Sequence, residues 1–512
     1  MFWSFLSNVS IVCFGFTFVC LLRFAVHCIT AHLALRHIPG PPSSSFLWGE
    51  EWILYHSLPG SAYIRWHAQF GKVVRFSGAF GHQVLSITDR RAISFIIGEG
   101  IYSFPKPNGV RAWFKATLGE GILWVEGKAA HEKQRRILAP ALSQQSVRNL
   151  THIFYETSSK LAHQWTRLLD KSHTEEAEIE ITNWAGRFAL DTIGRAAFSY
   201  DFDCLSGGPH ALAETLDGLT NNENKLSSFY MRALFWIFPS ILLIGKKGEM
   251  IRRTKEELGQ IASKMWREAK IAGDAEDKTL MALMLKADKA SGQCMSEEEI
   301  VAQMRTTISA GYETVSAVVA WILYELSRDA ELQADLREEI STARDSSLDE
   351  LNKYSLLDAV LKETLRLHPA ILENHHEAAE TITVPLSEPL PGTSDTYLII
   401  PKGTTLAIPL NVVQTDPELW GPDADVFRPQ RWIERKKAGI RGGRELLVFS
   451  EGPRSCVGKA FAMAEIKALV VTLLRQFSFS CPHEIEAFQS FVIRPRVKGE
   501  GPSSLPLLVR KL

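Results

Sequence analysis

The first 22 residues, Met1 to Leu22, read MFWSFLSNVSIVCFGFTFVCLL and carry no charge. About 20 apolar residues in a helix cross the ~30 Å hydrocarbon core of a bilayer. Ser4, Ser7, Asn8 and Ser10 weaken the first turns, and the apolar run continues toward Ile29. The pattern predicts a membrane anchor over residues 1–30. It has no basic start and no small-x-small cleavage site, so it reads as a retained anchor rather than a signal peptide. Arg23, Arg36 and several histidines follow it, which places the body on the cytoplasmic side. Pro39-Gly40-Pro41-Pro42 cannot continue a helix, so residues 31–45 read as a basic, Pro-rich hinge and 46–512 as the body.

Within the body, helical periodicity dominates from Ala92 to about Ile340. Short β-like runs lie at Lys72–Thr88, Thr381–Leu386, Tyr397–Pro401 and in the last 30 residues. Strands and helices do not alternate, which argues against a doubly wound parallel sheet. The expected fold is mainly α with small β-sheets at one side.

One helix is unusually legible. Ser296 and Glu299 form a capping box, S-x-x-E, before EEEIVAQMRTTISAGYETVSAVVAWILYELSRD. About 32 residues at 1.5 Å each give roughly 48 Å, enough to cross the molecule. Ile300 to Leu326 is apolar on most faces, which predicts burial. Ala310-Gly311-Tyr312-Glu313-Thr314 interrupts that pattern. Gly311 weakens a helix by up to ~1 kcal/mol, and Thr314 can bond a carbonyl one turn back and bend the axis. Together they open a notch, or Thr314 is satisfied within its own helix and Glu313 reaches solvent.

Composition narrows the function. The 512 residues are 46% hydrophobic and 22% charged, with formal net charge −1. Polyanion recognition needs a basic excess, so a nucleic-acid partner is not expected. Seven widely spaced cysteines suggest no disulfide framework and a reducing compartment.

Three polar constellations remain. Glu363 and Arg366 lie three apart on one helical face, and Arg431 follows in a Pro-rich aromatic loop, Phe427-Arg428-Pro429-Gln430-Arg431-Trp432. A second arginine there can lock the loop to the helix. Phe449-Ser450-Glu451-Gly452-Pro453-Arg454-Ser455-Cys456-Val457-Gly458 sets a lone cysteine among bends. A haem thiolate site needs a deprotonated sulfur, donors near it, cations for two propionates and room for a flat ring. Cys456 supplies the sulfur and Arg454 a cation. Gly452 and Gly458 allow close approach, and Phe449 shields the thiolate.

The spacing F-x-x-G-x-R-x-C-x-G resembles that of the cytochrome P-450 haem-thiolate monooxygenases, microsomal type. Ala310-Gly311-x-Glu313-Thr314, Glu363-x-x-Arg366 and Arg431 follow the same family's order. The resemblance spans essentially the whole chain. It implies the cytochrome P-450 fold with an N-terminal transmembrane helix and a haem-thiolate catalytic domain over 46–512. Haem b would be held by Cys456 as axial ligand. Thr314 and Glu313 would deliver protons, and Glu363, Arg366 and Arg431 would form a structural lock. The reaction implied is insertion of one oxygen atom of dioxygen into a C–H or C=C bond of a lipophilic small molecule, in secondary metabolism or in lipid or xenobiotic oxidation. Electrons would come from NADPH through a separate NADPH-cytochrome P-450 reductase, with cytochrome b5 as a second candidate donor. The implied location is the endoplasmic reticulum membrane, single-pass, with a cytoplasmic catalytic domain. The competing reaction on this fold is a haem-thiolate isomerase or dehydratase that needs no reductase. Retention of Thr314 with Glu313 argues against it.

Two positions depart from the family pattern. His131 stands where tryptophan is usual on an early helix, with Arg135 retained four residues on. His376 stands where an arginine is usual after Leu367-His368-Pro369. Both are expected to hydrogen-bond the propionates, although histidine is cationic only part of the time near pH 7. Lys128, Lys133, Arg135 and Arg136 form either a solvated face or a docking surface for an acidic reductase. Pocket candidates are Ala310, Thr314, Ile371, Leu372 and the Phe104–Trp124 segment with Phe114. Glu373 and Asn374 are polar for that region, and either orient a substrate or face solvent. Leu234 to Pro239 is either bilayer-dipping or ordinary core.

Overall fold

A computed structural model describes residues 2–172, 175–208, 210–220, 226–272, 281–282, 286, 295–341, 347–439 and 446–512. Cys294, counted above, lies outside them. The five cysteines whose state is described are all free.

The central helix spans Glu297–Ser327, and both bonds of its capping box are present. Ser296 Oγ accepts from Glu299 N at 3.1 Å, and Ser296 N donates to Glu299 Oε2 at 2.8 Å. The helix runs unbroken through Gly311, so no notch opens there. Gly311 instead permits close packing. A Cβ at this position would sit 3.2 Å from Ile193 Cδ1, on the helix Ile181–Phe198. Two buried helices thus approach where one has no side chain. The helix Lys459–Leu474, which follows Cys456, is buried along nearly its whole length. Phe461 meets Phe154 edge-on at 4.9 Å. Each such buried side chain contributes roughly 1.5–3 kcal/mol.

The strands are β1 (Val73–Ser77), β2 (Gln83–Ile87), β3 (Glu176–Glu180), β4 (Glu373–Glu377), β5 (Ile382–Pro385), β6 (Tyr397–Ile400), β7 (Thr405–Pro409), β8 (Phe477–Ser480), β9 (Ile485–Gln489), β10 (Ile493–Val497) and β11 (Pro506–Lys511). The largest sheet has order β1-β2-β7-β4; the others are β3-β11-β8, β5-β6 and β9-β10. β2 and β7 run parallel, and β4 pairs antiparallel with β7 in the register His376↔Leu406. A mainly helical body with small sheets is what the sequence pattern predicts. β3, β4, β7 and β8 are not among the expected strands.

The N-terminal helix is Phe2–Leu35. Residues 18–35 have mean hydropathy 1.8, long and apolar enough for a membrane span. The helix continues five residues past the expected anchor end at residue 30. Leu35 and Ile38 are buried in the same cluster as Leu85 of β2 and Leu406 of β7. Arg75 N donates to Pro39 O at 3.0 Å, so the expected hinge begins docked along β1.

Candidate active site

The ligand-bearing loop is built by local backbone bonds. Cys456 N donates to Phe449 O at 2.7 Å, and Ser455 N to Gly452 O at 3.1 Å. Gly452 has φ +67, and a Cβ there would lie 2.4 Å from Ile97 O, so the bend requires glycine. At Gly458 a Cβ would touch only Cys456 Sγ, at 4.0 Å. Glycine there keeps the flank of the sulfur open. Burial pushes the Cys456 thiol up, while backbone N–H groups of Gly458 and Lys459 and the charges of Arg135 and Lys459 pull it down. Cys456 is nonetheless accessible by surface area, so it faces a recess in the interior. Lys459 Nζ lies 5.4 Å over the Phe449 ring.

The central helix is buried from Val315 to Leu323. Before that, Thr307, Ala310, Gly311 and Thr314 are partly or fully accessible. Their spacing of i, i+3, i+4 and i+7 puts them on one face. An accessible stripe on an otherwise buried helix is the wall of an internal space. Thr314 Oγ1 donates to Ala310 O at 2.8 Å, the within-helix bond considered above. Glu313 does not reach solvent. It is 1% exposed and pairs with Arg494 of β10, Nη2 to Oε2 at 2.7 Å. Arg494 Nη1 also reaches Asp217 Oδ1 at 3.2 Å, and Tyr312 OH donates to the same oxygen at 2.7 Å. Burial works against the Arg494 charge, but Glu313 and Asp217 outweigh it and hold the guanidinium charged. Asp217 and Arg494 line a cleft of about 410 Å³ that also includes Asn183 and Ser503.

Glu363, Arg366 and Arg431 meet in the core. Glu363 accepts from Arg366 Nη2 and Nε, and from Arg431 Nε, each at 2.8 Å. Arg428 N at 2.9 Å and Trp432 Nε1 at 2.8 Å complete its shell. Burial raises the Glu363 carboxyl, but these bonds outweigh it and hold it below the usual carboxylate range. Arg366 Nη1 also donates to Gln414 O at 3.1 Å, and Leu447 N donates to Gln414 Oε1 at 2.9 Å. Gln414 therefore ties the ion-pair cluster to the start of the cysteine loop.

A second charged cluster lies beside that loop. Arg135 Nη1 donates to Ser455 O at 2.6 Å and Nη2 to Ser455 Oγ at 3.1 Å, so Arg135 braces the loop. Arg454 donates to Val125 O at 3.1 Å and pairs with Glu126. His131 is buried, with Nδ1 3.1 Å from Tyr102 OH. Burial, then the charges of Arg454 and Arg135, push its ring down to about 4. Burial also pushes His376 down to about 4. His376 Nδ1 lies 2.9 Å from Phe104 O, a carbonyl that can only accept. The neutral ring therefore carries its proton on Nδ1 and offers only a lone pair at Nε2. The expected bond from His376 to a propionate would therefore require the cationic ring.

The pocket candidates separate. Ala310 is exposed, and Phe114 and Ile371 are partly buried. Leu372 packs with Trp321 and Ile493 and is 7% exposed, so it is core rather than pocket wall. Glu373 is not solvent-facing: it accepts from Tyr63 OH at 2.8 Å and lies 3.1 Å from His375 Nε2. Strand alternation places Asn374 on the His376 face of β4 and Glu373 on the other. Sequence reasoning missed Asp217, Arg494, Lys106, Arg111, Glu126 and Gln414. The one available signal was Glu126-Gly127 directly ahead of the basic helix Lys128–Leu138.

The residues present fit a haem. Cys456 offers a sulfur open to an interior recess. Arg135, Arg454 and Lys106 bring cations beside the cysteine loop, the charge that two propionates need. Tyr102 OH can donate to His131 Nδ1, an arrangement that leaves the Nε2–H of the neutral ring to give.

Comparison with known proteins agrees. The family model for cytochrome P-450 matches residues 38–496. Cytochrome P-450 monooxygenase claU of Ampulloclitocybe clavipes is 34% identical over 502 residues, covering 93% of this chain and 92% of that protein. Cytochrome P-450 monooxygenase claW of the same fungus is 34% identical over 533 residues, covering 99% and 97%. Cytochrome P-450 monooxygenase 205 of Postia placenta is 31% identical over 517 residues, covering 93% of each. With its cysteine loop, accessible helix face and buried Glu-Arg-Arg cluster in that setting, the chain belongs to the cytochrome P-450 family of oxidoreductases, whose haem is carried on a cysteine thiolate.

Proposed function

We propose that this protein is a membrane-anchored monooxygenase of a lipophilic small molecule, in secondary metabolism or in lipid or xenobiotic oxidation. Electrons come from NADPH through a separate NADPH-cytochrome P-450 reductase, with cytochrome b5 as a second donor. The supporting observation is the accessible stripe Thr307, Ala310 and Thr314 on a buried helix, in a protein whose lone loop cysteine opens inward.

When bound, haem supplies dioxygen activation and transfer of one oxygen atom to the substrate. Cys456 would hold the iron, and backbone N–H groups of Gly458 and Lys459 would temper the thiolate charge. Ala310, Ile371 and Phe114 give the substrate an apolar surface and exclude water. Thr314 Oγ1 holds a proton at the pocket wall. Glu313, its neighbour in sequence, is held as a carboxylate by Arg494, so it would relay a proton toward Thr314 only after taking one from water. Glu363, Arg366 and Arg431 hold the loop that carries Cys456.

An apolar surface supports attachment to the endoplasmic reticulum membrane by more than the N-terminal helix. Phe46, Leu47, Trp52, Phe80, Phe238, Leu243 and Ile244 are exposed. Trp48 lies 6.0 Å from Phe80, and Phe80 6.5 Å from Phe238, so these rings form one patch. On the basic helix, Lys128 and Arg136 are exposed and suit an acidic reductase; Arg135 is committed to Ser455. The test is a carbon-monoxide difference spectrum of the purified protein, then NADPH consumption with added reductase and a lipophilic library. Cys456→Ser should abolish the thiolate spectrum. Product formation without NADPH or reductase would instead establish the isomerase reaction.

A further inference from the structure

Lys106, Glu126 and Arg454 come from three separate segments and converge beside the cysteine loop. Glu126 Oε1 accepts from Lys106 N at 3.0 Å and from Lys106 Nζ at 3.2 Å. Its other oxygen takes Arg454 Nη2. The three side chains are 19%, 12% and 10% exposed in chain order. Arg454 lies 5.7 Å over the Tyr102 ring, and Arg111 lies 5.0 Å over the Trp124 ring.

The guanidinium of Arg454 is a planar fork, so fixing its two terminal nitrogens fixes the third. Nη1 is held by Val125 O and Nη2 by Glu126, while Nε is buried without a partner. The fork is therefore anchored in protein through both terminal nitrogens, which sets the orientation in which its remaining N–H groups meet an anion. We propose that Glu126 is a positioning residue for the haem propionates: it holds Arg454 and Lys106 in the orientation in which they receive them, and Lys106 is itself a propionate partner. This rests on the monooxygenase reading above.

Charge balance supports it. Lys106, Arg111, Arg135 and Arg454 bring four positive charges, against Glu126 at their centre and Glu132 and Glu377 at the edge, close enough to act on Tyr102 and Arg111. A positive excess remains for the propionates. Burial pushes the Lys106 ammonium down to about 8, and Arg454 and Arg111 repel it further, although Glu126 opposes both. A cluster under that strain gains from further anions.

The experiment uses the haem-loaded protein. Wild type, Glu126→Gln, Lys106→Gln and the exposed control Glu132→Gln are compared by haem transfer to excess apomyoglobin. The propionate bending bands of each are recorded by resonance Raman. Glu126→Gln should lose haem at least about tenfold faster and shift those bands, Lys106→Gln should do the same to a smaller degree, and the control should match wild type. A general loss of packing would speed haem loss without moving the propionate bands, and overturns the proposal. Unchanged or slower haem loss in Glu126→Gln also overturns it, the slower case meaning that Glu126 competes with the propionates. If Glu126→Gln cannot be purified, Lys106→Gln carries the same test. A wild-type protein that takes up no haem overturns the monooxygenase reading as well; a loaded wild type with unaffected variants overturns this inference alone.

Discussion

Glu313 and Arg494, 181 residues apart, form a buried ion pair at 2.7 Å between the central helix and β10. Loss of Arg494 strands Glu313, whereas Arg494 without Glu313 keeps Asp217. Arg494→Met should destabilise the protein by about 3–5 kcal/mol, because Glu313 and Asp217 lose their shared cation. Adding Glu313→Gln to Arg494→Met should recover part of that loss. Denaturant midpoints of the two variants measure both effects; a loss below about 1 kcal/mol for Arg494→Met would show that the pair is not structural.

Glu363 accepts five hydrogen bonds, so replacing it removes the centre of a cluster rather than one contact. Glu363→Gln should cost about 3–5 kcal/mol and lower the haem content of purified protein. Its carboxyl is held below the usual range, so its contribution is present above ordinary carboxylate pH and is lost as pH falls through the lowered value. The wild type should show that acid loss in thermal scans, and Glu363→Gln should show less of it.

Glu51 gives the opposite sign. Burial pushes its carboxyl from 4.5 up to about 8, with Arg232 opposing and Glu373 adding to the rise. Tyr63 and His375 complete the polar groups around Glu373. Between pH 4.5 and about 8 the folded protein keeps a proton that the unfolded chain has released. Stability from this group therefore falls as pH rises, by up to about tenfold in the folding constant per pH unit. Glu51→Gln should raise the thermal midpoint at pH 8 more than at pH 5; an equal gain at both would show that Glu51 ionises normally.

His131 and His376 should not be equivalent. Neutral His131 can donate one N–H, whereas neutral His376 spends its proton on Phe104 O. His131→Ala should accelerate haem loss at pH 7.5 more than His376→Ala. The same transfer to apomyoglobin measures it, and the reverse order would show that His376 is held as a cation by the propionates.

What was legible in the chain follows the range of each interaction. The capping box at Ser296 and the pairing of Glu363 with Arg366 are within one helical turn, so spacing alone exposes them. Arg431 was readable because its loop is rich in proline and aromatics. β4, Glu-Asn-His-His-Glu, has no apolar alternation. It is a strand because β7 offers it an edge, a tertiary cause that no local pattern carries. The Arg494 partner of Glu313 and the Gln414 link to Leu447 cross far-separated segments and left no local trace. Leu372 looked like pocket lining by position, but Trp321 and Ile493 enclose it.

The seating of Leu35, Ile38 and Pro39 against the small sheet has a practical consequence. The end of the amino-terminal rod is thus seated in the body as a handle is in a tool, its last side chains packed among those of the sheet. A shortened protein made for solubility should therefore be cut well ahead of Cys28; removal through Ile38 would strip Cys28, Ala31, Leu35 and Ile38 from the hydrophobic interior and expose what they cover.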